Sequence, residues 1–197
     1  MLKNLAKKIT ASAYLTYARY KDSSDVIDVG EYLSKIATAL ILPPEAPEHF
    51  KIASELLDEL RQRFAQTQFY LLTPKSFLNM ISLNEQVMIL SYDAPDIGFH
   101  GLPKDTLQQA IRSRHFDMVI DLNLDFNLIA TFLCRVSEAK LRICLAHPDR
   151  DPFYNFQVRA TDGSNIQDKY QSLLKYIAVF ADLIDQRDLA AAEMTVP

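Results

Sequence analysis

Residues Phe116–Ala146 read FDMVIDLNLDFNLIATFLCRVSEAKLRICLA, and this stretch decides the fold. DMVIDL is a short apolar run with a β-branched centre, the pattern of a strand buried on both faces. NLDFN is a polar turn. The apolar segment from Asn127 to Ser137 has helical length and spacing, and LRICLA, Leu141 to Ala146, repeats the buried-strand pattern. A buried strand, a crossover helix and a second buried strand form a parallel-sheet unit. Ligands of open parallel sheets sit beyond the carboxyl ends of the strands, which is where Asp121, Asn123, Asp125 and Asn127 fall.

The same alternation extends in both directions. Upstream, Ala37 to Leu42 (ATALIL) reads as the first strand, ended by Pro43 and Pro44. Pro47 opens a helix as a first-turn proline can, and Phe50, Ala53, Leu56, Leu57, Leu60 and Phe64 recur on one face. Gln68 to Leu72 is the second strand, Pro74 to Ile81 a short helix, Gln86 to Tyr92 the third strand, and Lys104 to Ser113 a helix. Asp117 to Leu122 and Leu141 to Ala146 are strands four and five. A polar loop, HPDRDPFYNFQVRATDG, then leads to a closing helix from about Asn165 to Gln186. The pattern predicts an α/β, Rossmann-like, doubly wound parallel sheet of about five strands in the order 3-2-1-4-5. That order puts the turn Pro43 to His49 beside Asn123 to Asn127, where a ligand crevice would lie.

Composition narrows the function classes. The 197 residues, 49% of them hydrophobic, suffice for one self-supporting core. Charge balances at 21 basic against 25 acidic residues, a net −4, with no basic stripe in the body of the chain. Nucleic acid is therefore not an expected partner. Cys134 and Cys144 lie in apolar segments as small hydrophobes, which argues against a disulfide framework or a metal knuckle. No metal and no cofactor are expected. No apolar run reaches the roughly 20 residues of a membrane span, and the start lacks a signal core, so a cytoplasmic protein is expected.

Three segments follow from these patterns: a basic amphipathic helix over 1–24, the Rossmann-like domain over 25–187, with a short helix from Asp25 to Lys35, and a tail over 188–197. In the first, Lys3, Lys7, Lys8, Arg19 and Lys21 occur without an acid while Leu2, Leu5, Ile9, Ala13 and Tyr17 recur at helical spacing. Residues 1–21 thus read either as a peripheral contact for an anionic membrane or acidic partner, or as a helix whose apolar stripe packs on the domain. Tyr14, Tyr17, Tyr20, Phe153, Tyr154 and Phe156 add a case for self-association, unless they cover their own sheet.

The succession ALILPPE (39–45), LDELRQRF (57–64), QFYLL (68–72) and RHFDMVIDLNLDFNLIATFLCRVSEAKLRICLA (114–146) resembles the N-terminal half of the heptosyltransferases, the family 9 glycosyltransferases. Those enzymes carry an "LRRRFP" helix end, then "YDLVIDLQ", a helix and a strand beginning "RIGF". The chain is also similar to small single-domain proteins of Bacteroidetes-type bacteria with a basic N-terminal helix and a closing "KYL" helix, compare Leu174 to Ile177. The heptosyltransferase resemblance implies a glycosyltransferase-type fold, and the departures from it bear on activity. Where the family has a Gly-Asp turn after the first strand, this chain has Pro43-Pro44-Glu45-Ala46-Pro47-Glu48-His49. No glycine is present there, and three prolines remove three amide donors. Matching the LDELRQRF segment sets Glu48 and His49 near the Gly-Asp, leaving His49 as a weak candidate base. The family's second, donor-binding domain is not expected in this chain. With only Gly30, Gly98, Gly101 and Gly163, no phosphate-cradling loop is assembled.

Glu48, His49, Asn123, Asp125 and Asn127 are therefore the expected crevice residues. The plainer expectation for the turn is that Asp125 caps the following helix while Asp121 and Asn123 bind turn amides. In the loop after strand five, Asp149 and Asp151 are expected to pair with Arg150 or Arg159 at the surface. The function expected is a non-catalytic, glycosyltransferase-like module for protein binding or assembly. The alternatives are the acceptor-binding half of a split transferase and a small-molecule-binding regulatory domain.

Overall fold

The computed structural model describes residues 2–20, 29–33, 35–81 and 87–193. In chain order the elements are α1 (Leu2–Tyr20), α2 (Val29–Leu33), β1 (Thr38–Leu42), α3 (Pro47–Arg63), β2 (Gln68–Pro74), β3 (Val87–Tyr92), α4 (Asp105–Arg112), β4 (Met118–Asp121), α5 (Leu128–Val136), β5 (Leu141–Leu145), β6 (Phe156–Val158) and α6 (Ile166–Glu193). A 3-10 helix, Lys75–Met80, follows β2. The six strands form one sheet in the order β3-β2-β1-β4-β5-β6, parallel throughout. This is a doubly wound, Rossmann-like α/β fold.

Alternation along the strands sorts the core into two layers. Ala39, Ile41, Met118, Ile120, Leu141 and Ile143 face the layer holding Phe50, Leu56, Leu60 and Tyr170 from α3 and α6. Leu40, Leu42, Val119 and Cys144 face the other, with Leu107 and Ile111 of α4 and Leu133 and Cys134 of α5. Burial on both faces explains why β1 and β4 read as unbroken apolar runs. The edge strand β3 is only half covered, with Met88 and Ile89 exposed.

Two side-chain clips register β1 against β4. At the amino ends, Asp117 Oδ2 accepts from the Ala37 and Thr38 amides, each at 2.9 Å. At the carboxyl ends, Asn123 Oδ1 accepts from the Glu45 amide at 3.0 Å, and Asn123 Nδ2 donates to the Pro43 carbonyl at 3.2 Å.

Several elements depart from the sequence expectation. The polar loop after β5 contains a sixth strand, β6, three residues long, whose Val158 carbonyl accepts from the Ala146 amide. Three residues are too few to show a period of two. The closing helix runs to Glu193 rather than Gln186. Residues 21–28, which include the start of the expected Asp25 to Lys35 helix, lie outside the described residues, as do 82–86 and 194–197. Asn127, not Asp125, caps α5, its Oδ1 accepting from the Ala130 amide at 2.9 Å. Asp125 lies two residues before the cap position and stays exposed. Asn127→Ala should lower stability by about 1 kcal/mol in urea denaturation. Asp125→Ala should leave it unchanged within error; equal losses would refute the assignment of the cap.

α1 packs through Tyr14, Leu15 and Ala18, with the Tyr14 ring stacked on Phe153 at 5.0 Å between centroids. Phe153 and Tyr154 are buried and cover their own domain, whereas Tyr17 is exposed. Lys7 crosses Gly101, which sits at φ +85°; a Cβ there would lie 2.7 Å from Lys7 Cγ, so glycine serves both the left-handed turn and the close approach. Of the stripe that could either pack on the domain or face outward, Leu2, Leu5, Ile9 and Tyr17 are exposed. A helix has two faces, and here the less hydrophobic one meets the domain.

Candidate functional site

The chain runs from β1 outward to β2 and β3, then returns to add β4 on the other side of β1, so the segments leaving the carboxyl ends of β1 and β4 pass to opposite faces of the sheet, into α3 and α5. A cleft of about 340 Å³ opens there, lined by Pro44, Glu45, Ala46, His49, Asn123, Leu124, Asp125, Phe126 and Asn127. Of the five residues singled out from the sequence, His49, Asn123, Asp125 and Asn127 meet in this cleft. Glu48 is exposed in the first turn of α3 and is not part of the lining.

Pro47 starts α3 and sets His49 half-buried at the rim. Among the described residues no side chain hydrogen-bonds its imidazole, so no carboxylate orients a ring nitrogen as a general base requires. Asn127 donates to Glu45 Oε2 at 2.9 Å while capping α5. In the proline-rich turn the Glu45 amide is held by Asn123 and the His49 amide by the Ala46 carbonyl, while Pro43, Pro44 and Pro47 have no amide to offer. The three prolines and these two bonds leave fewer amides for a phosphate than a glycine-rich turn would. Beside the cleft, burial pushes the Tyr92 hydroxyl up to about 12, with the Glu45 carboxylate adding to the shift. Among the described residues no group of three His, Cys, Asp or Glu side chains is placed to hold a metal ion.

Beneath the cleft lies a buried polar cluster. Asp121, the last residue of β4, is fully buried, and its Oδ1 accepts from the Asn123 amide at 2.9 Å and from Asn123 Nδ2 at 2.8 Å. Its Oδ2 accepts from the Tyr154 hydroxyl and lies 2.5 Å from Arg150 Nη2. Arg150 is fully buried too, donates through Nη1 to the Asn123 carbonyl at 2.5 Å, and sits 4.9 Å above the Tyr154 ring centroid. Its Nη2 contact with Asp121 is an ion pair rather than an aligned hydrogen bond, and Nε has no acceptor among the described residues. Burial, the largest single influence, opposes the Arg150 charge, but Asp121 and the other groups around the guanidinium together outweigh it, and the pKa stands above the usual arginine value. Burial, then Asp121, pushes the Tyr154 hydroxyl far upward, so it remains a donor. Tyr170 of α6 donates to the neighbouring Leu122 carbonyl at 2.6 Å.

This cluster corrects the surface pairing expected for the loop. Arg150 pairs inward with Asp121, Asp149 pairs with Arg19 at 2.8 Å, and Asp151 accepts from Gln157. The sequence signal was weak but present: Arg150 is followed closely by Phe153 and Tyr154, which bury the loop that carries it.

A second cleft, about 330 Å³, lies beyond β5 and β6 and includes His147, Arg159, Thr161, Asp162, Gly163 and Lys169. Sequence reasoning missed it because β6, which forms its wall, was not recognised. The β1–β4 cleft is the stronger candidate, since it lies at the switch point of the sheet.

Solved structures with this fold include the E. coli heptosyltransferase WaaC with ADP, at a TM-score of 0.56 and 13% identity over 71% of this chain and 46% of that one. The glycosyl transferase family 9 protein from Veillonella parvula DSM 2008 aligns at a TM-score of 0.56 and 15% identity, over 73% of this chain and 41% of that one. WaaC with ADP-2-deoxy-2-fluoro heptose gives 0.55 and 13%, over 73% and 49%. The chain thus spans under half the length of these proteins, and the likeness is one of fold. No curated protein matches the sequence. Residues 11–180 match the family described as Family of unknown function (DUF6913), and with most of its length covered the chain belongs to that family.

Proposed function

We propose that this protein is a non-catalytic, glycosyltransferase-like domain that works as a binding or assembly module for another protein. The observation that carries the reading is the saturation of the strand-end crevice from within. Asn123, Asn127, Asp121 and the Glu45 amide all hold one another, and the turn that would approach a substrate contains prolines in place of glycine. Groups already satisfied inside the chain must break those bonds to stabilise a transition state, which removes the preorganisation catalysis depends on. Two buried free thiols, with burial raising Cys134 to about 12, fit a reducing cytoplasm.

A second reading has one observation in its favour. The His49 imidazole and the exposed Asp125 carboxylate line the same open cleft, an arrangement suited to the acceptor side of a two-chain transferase. The two readings separate in one assay, in which the protein is incubated with ADP-, UDP- and GDP-sugars, alone and with native-host extract, and nucleotide release is followed. We expect no release above the buffer rate and no difference between wild type and His49→Ala. Release that disappears in His49→Ala would replace the first reading with the second. A stoichiometric protein partner in gentle purification from the native host, retained by His49→Ala, is the positive result expected for the module.

A further inference from the structure

α1 carries an exposed apolar row. Leu2, Leu5, Ile9 and Tyr17 are 77%, 55%, 61% and 58% exposed, and Ala13 between them is exposed as well. These positions share one helical face, while Tyr14, Leu15 and Ala18 on the opposite face are held against the core. Each residue advances about 100° around a helix, so Lys3, one step after Leu2, and Lys8, one step before Ile9, fall on the two margins of the row. Both lysines are exposed. Arg19 and Lys7 belong to the docked side, one paired with Asp149 and the other laid along Gly101. No acidic residue occurs in α1.

We propose that α1 lies in the plane of an anionic lipid surface, with Leu2, Leu5 and Ile9 in the acyl boundary and Lys3 and Lys8 reaching the headgroups. The charge pattern selects this occupant over a second copy of the chain. Two α1 rows laid together would bring lysines against lysines, with no acid on either helix to offset them. A lipid surface supplies the missing negative charge on both margins at once, and lysine stems are long enough to cover apolar surface while the ammonium stays at the headgroups. No described helix is long and apolar enough to cross a membrane, which leaves the in-plane arrangement for a helix of this composition. With one short row and two lysines, attachment should be reversible and depend on both anionic lipid and low salt.

Vesicle flotation of the full chain tests this independently of any activity or protein partner. Vesicles of phosphatidylcholine with about 30% phosphatidylglycerol should carry the wild type at about 50 mM salt, and pure phosphatidylcholine should not. Raising salt to about 500 mM should release it. Leu5→Asp with Ile9→Asp should reduce the bound fraction by about tenfold or more, and Lys3→Glu with Lys8→Glu by a similar factor. Both variants change exposed side chains, so an unchanged melting temperature verifies folding. Absent binding by the wild type, or undiminished binding by the aspartate variant, overturns the proposal. So does a sedimentation experiment in which the wild type self-associates and the aspartate variant is monomeric, since a second copy would then cover the row.

Discussion

Arg150→Leu should destabilise the domain by about 3–5 kcal/mol, because it strands the Asp121 carboxylate, fully buried, without its cation. The Asn123 amide, Asn123 Nδ2 and the Tyr154 hydroxyl would still donate to Asp121, so collapse is not expected. Burial alone would disfavour the Arg150 charge, yet Asp121 and the other groups around it together more than compensate and raise the pKa. A raised folded-state value contributes stability that is complete below the ordinary arginine pKa and lost only as pH climbs past the folded one. The arginine side of the pair therefore predicts no alkaline loss at any pH where the protein is handled. The comparison is Asp149→Ala, which breaks the exposed pair with Arg19 and should lower stability by less than about 1 kcal/mol. Urea midpoints of the two variants measured side by side decide the matter. Equal and small losses would mean that Arg150 faces water, as the charge pattern of its loop first suggested.

Ile120→Ala is the second large effect, expected at about 2–5 kcal/mol. Ile120 sits on β4 between β1 and β5, with no exposed surface, against the layer formed by α3 and α6. Loss of three carbons there leaves a cavity that two flanking strands and two helices hold open. Met88→Ala on the edge strand β3 removes a side chain that is half exposed, and should change stability by no more than about 0.5 kcal/mol. A calorimetric pair of melting curves distinguishes centre from edge. If the two substitutions cost the same, the burial gradient across the sheet is wrong.

The sheet was legible because both-face burial writes its signature in short apolar runs, and β1, β2, β4 and β5 all carry it. β6 escaped because Phe156, Gln157 and Val158 are three residues inside a charged loop. The crevice followed from strand order, so the meeting of His49 with Asn123, Asp125 and Asn127 was readable, whereas which groups were already satisfied was not. Hydrogen-bond partners such as Glu45 and Asn123 are about 80 residues apart, and no local pattern encodes them. In NLDFN either Asp125 or Asn127 could cap, since a cap is defined by where the first turn begins. Arg150 was misplaced for a related reason: sequence marks a charge, and only its tertiary neighbours decide whether the charge is in water. For α1 the period was legible and the face was not, because spacing reports a stripe without saying what it meets.

The two clips between β1 and β4 have a consequence for the order in which the molecule assembles. Strand neighbours within β1-β2-β3, and within β4-β5-β6, are joined by short crossovers, whereas β1 and β4 meet across 79 residues of chain. Closing that loop is entropically the costliest pairing in the sheet, and long-range parallel pairing of this kind slows folding. The molecule is thus two three-strand wings sharing a single seam, with Asp117 stitching one end of it and Asn123 the other. The crevice occupies the Asn123 end, so it exists only once the wings have joined, whereas the bonds that link Asp121, Asn123, Arg150 and Tyr154 into its polar floor lie entirely within the β4-β5-β6 wing.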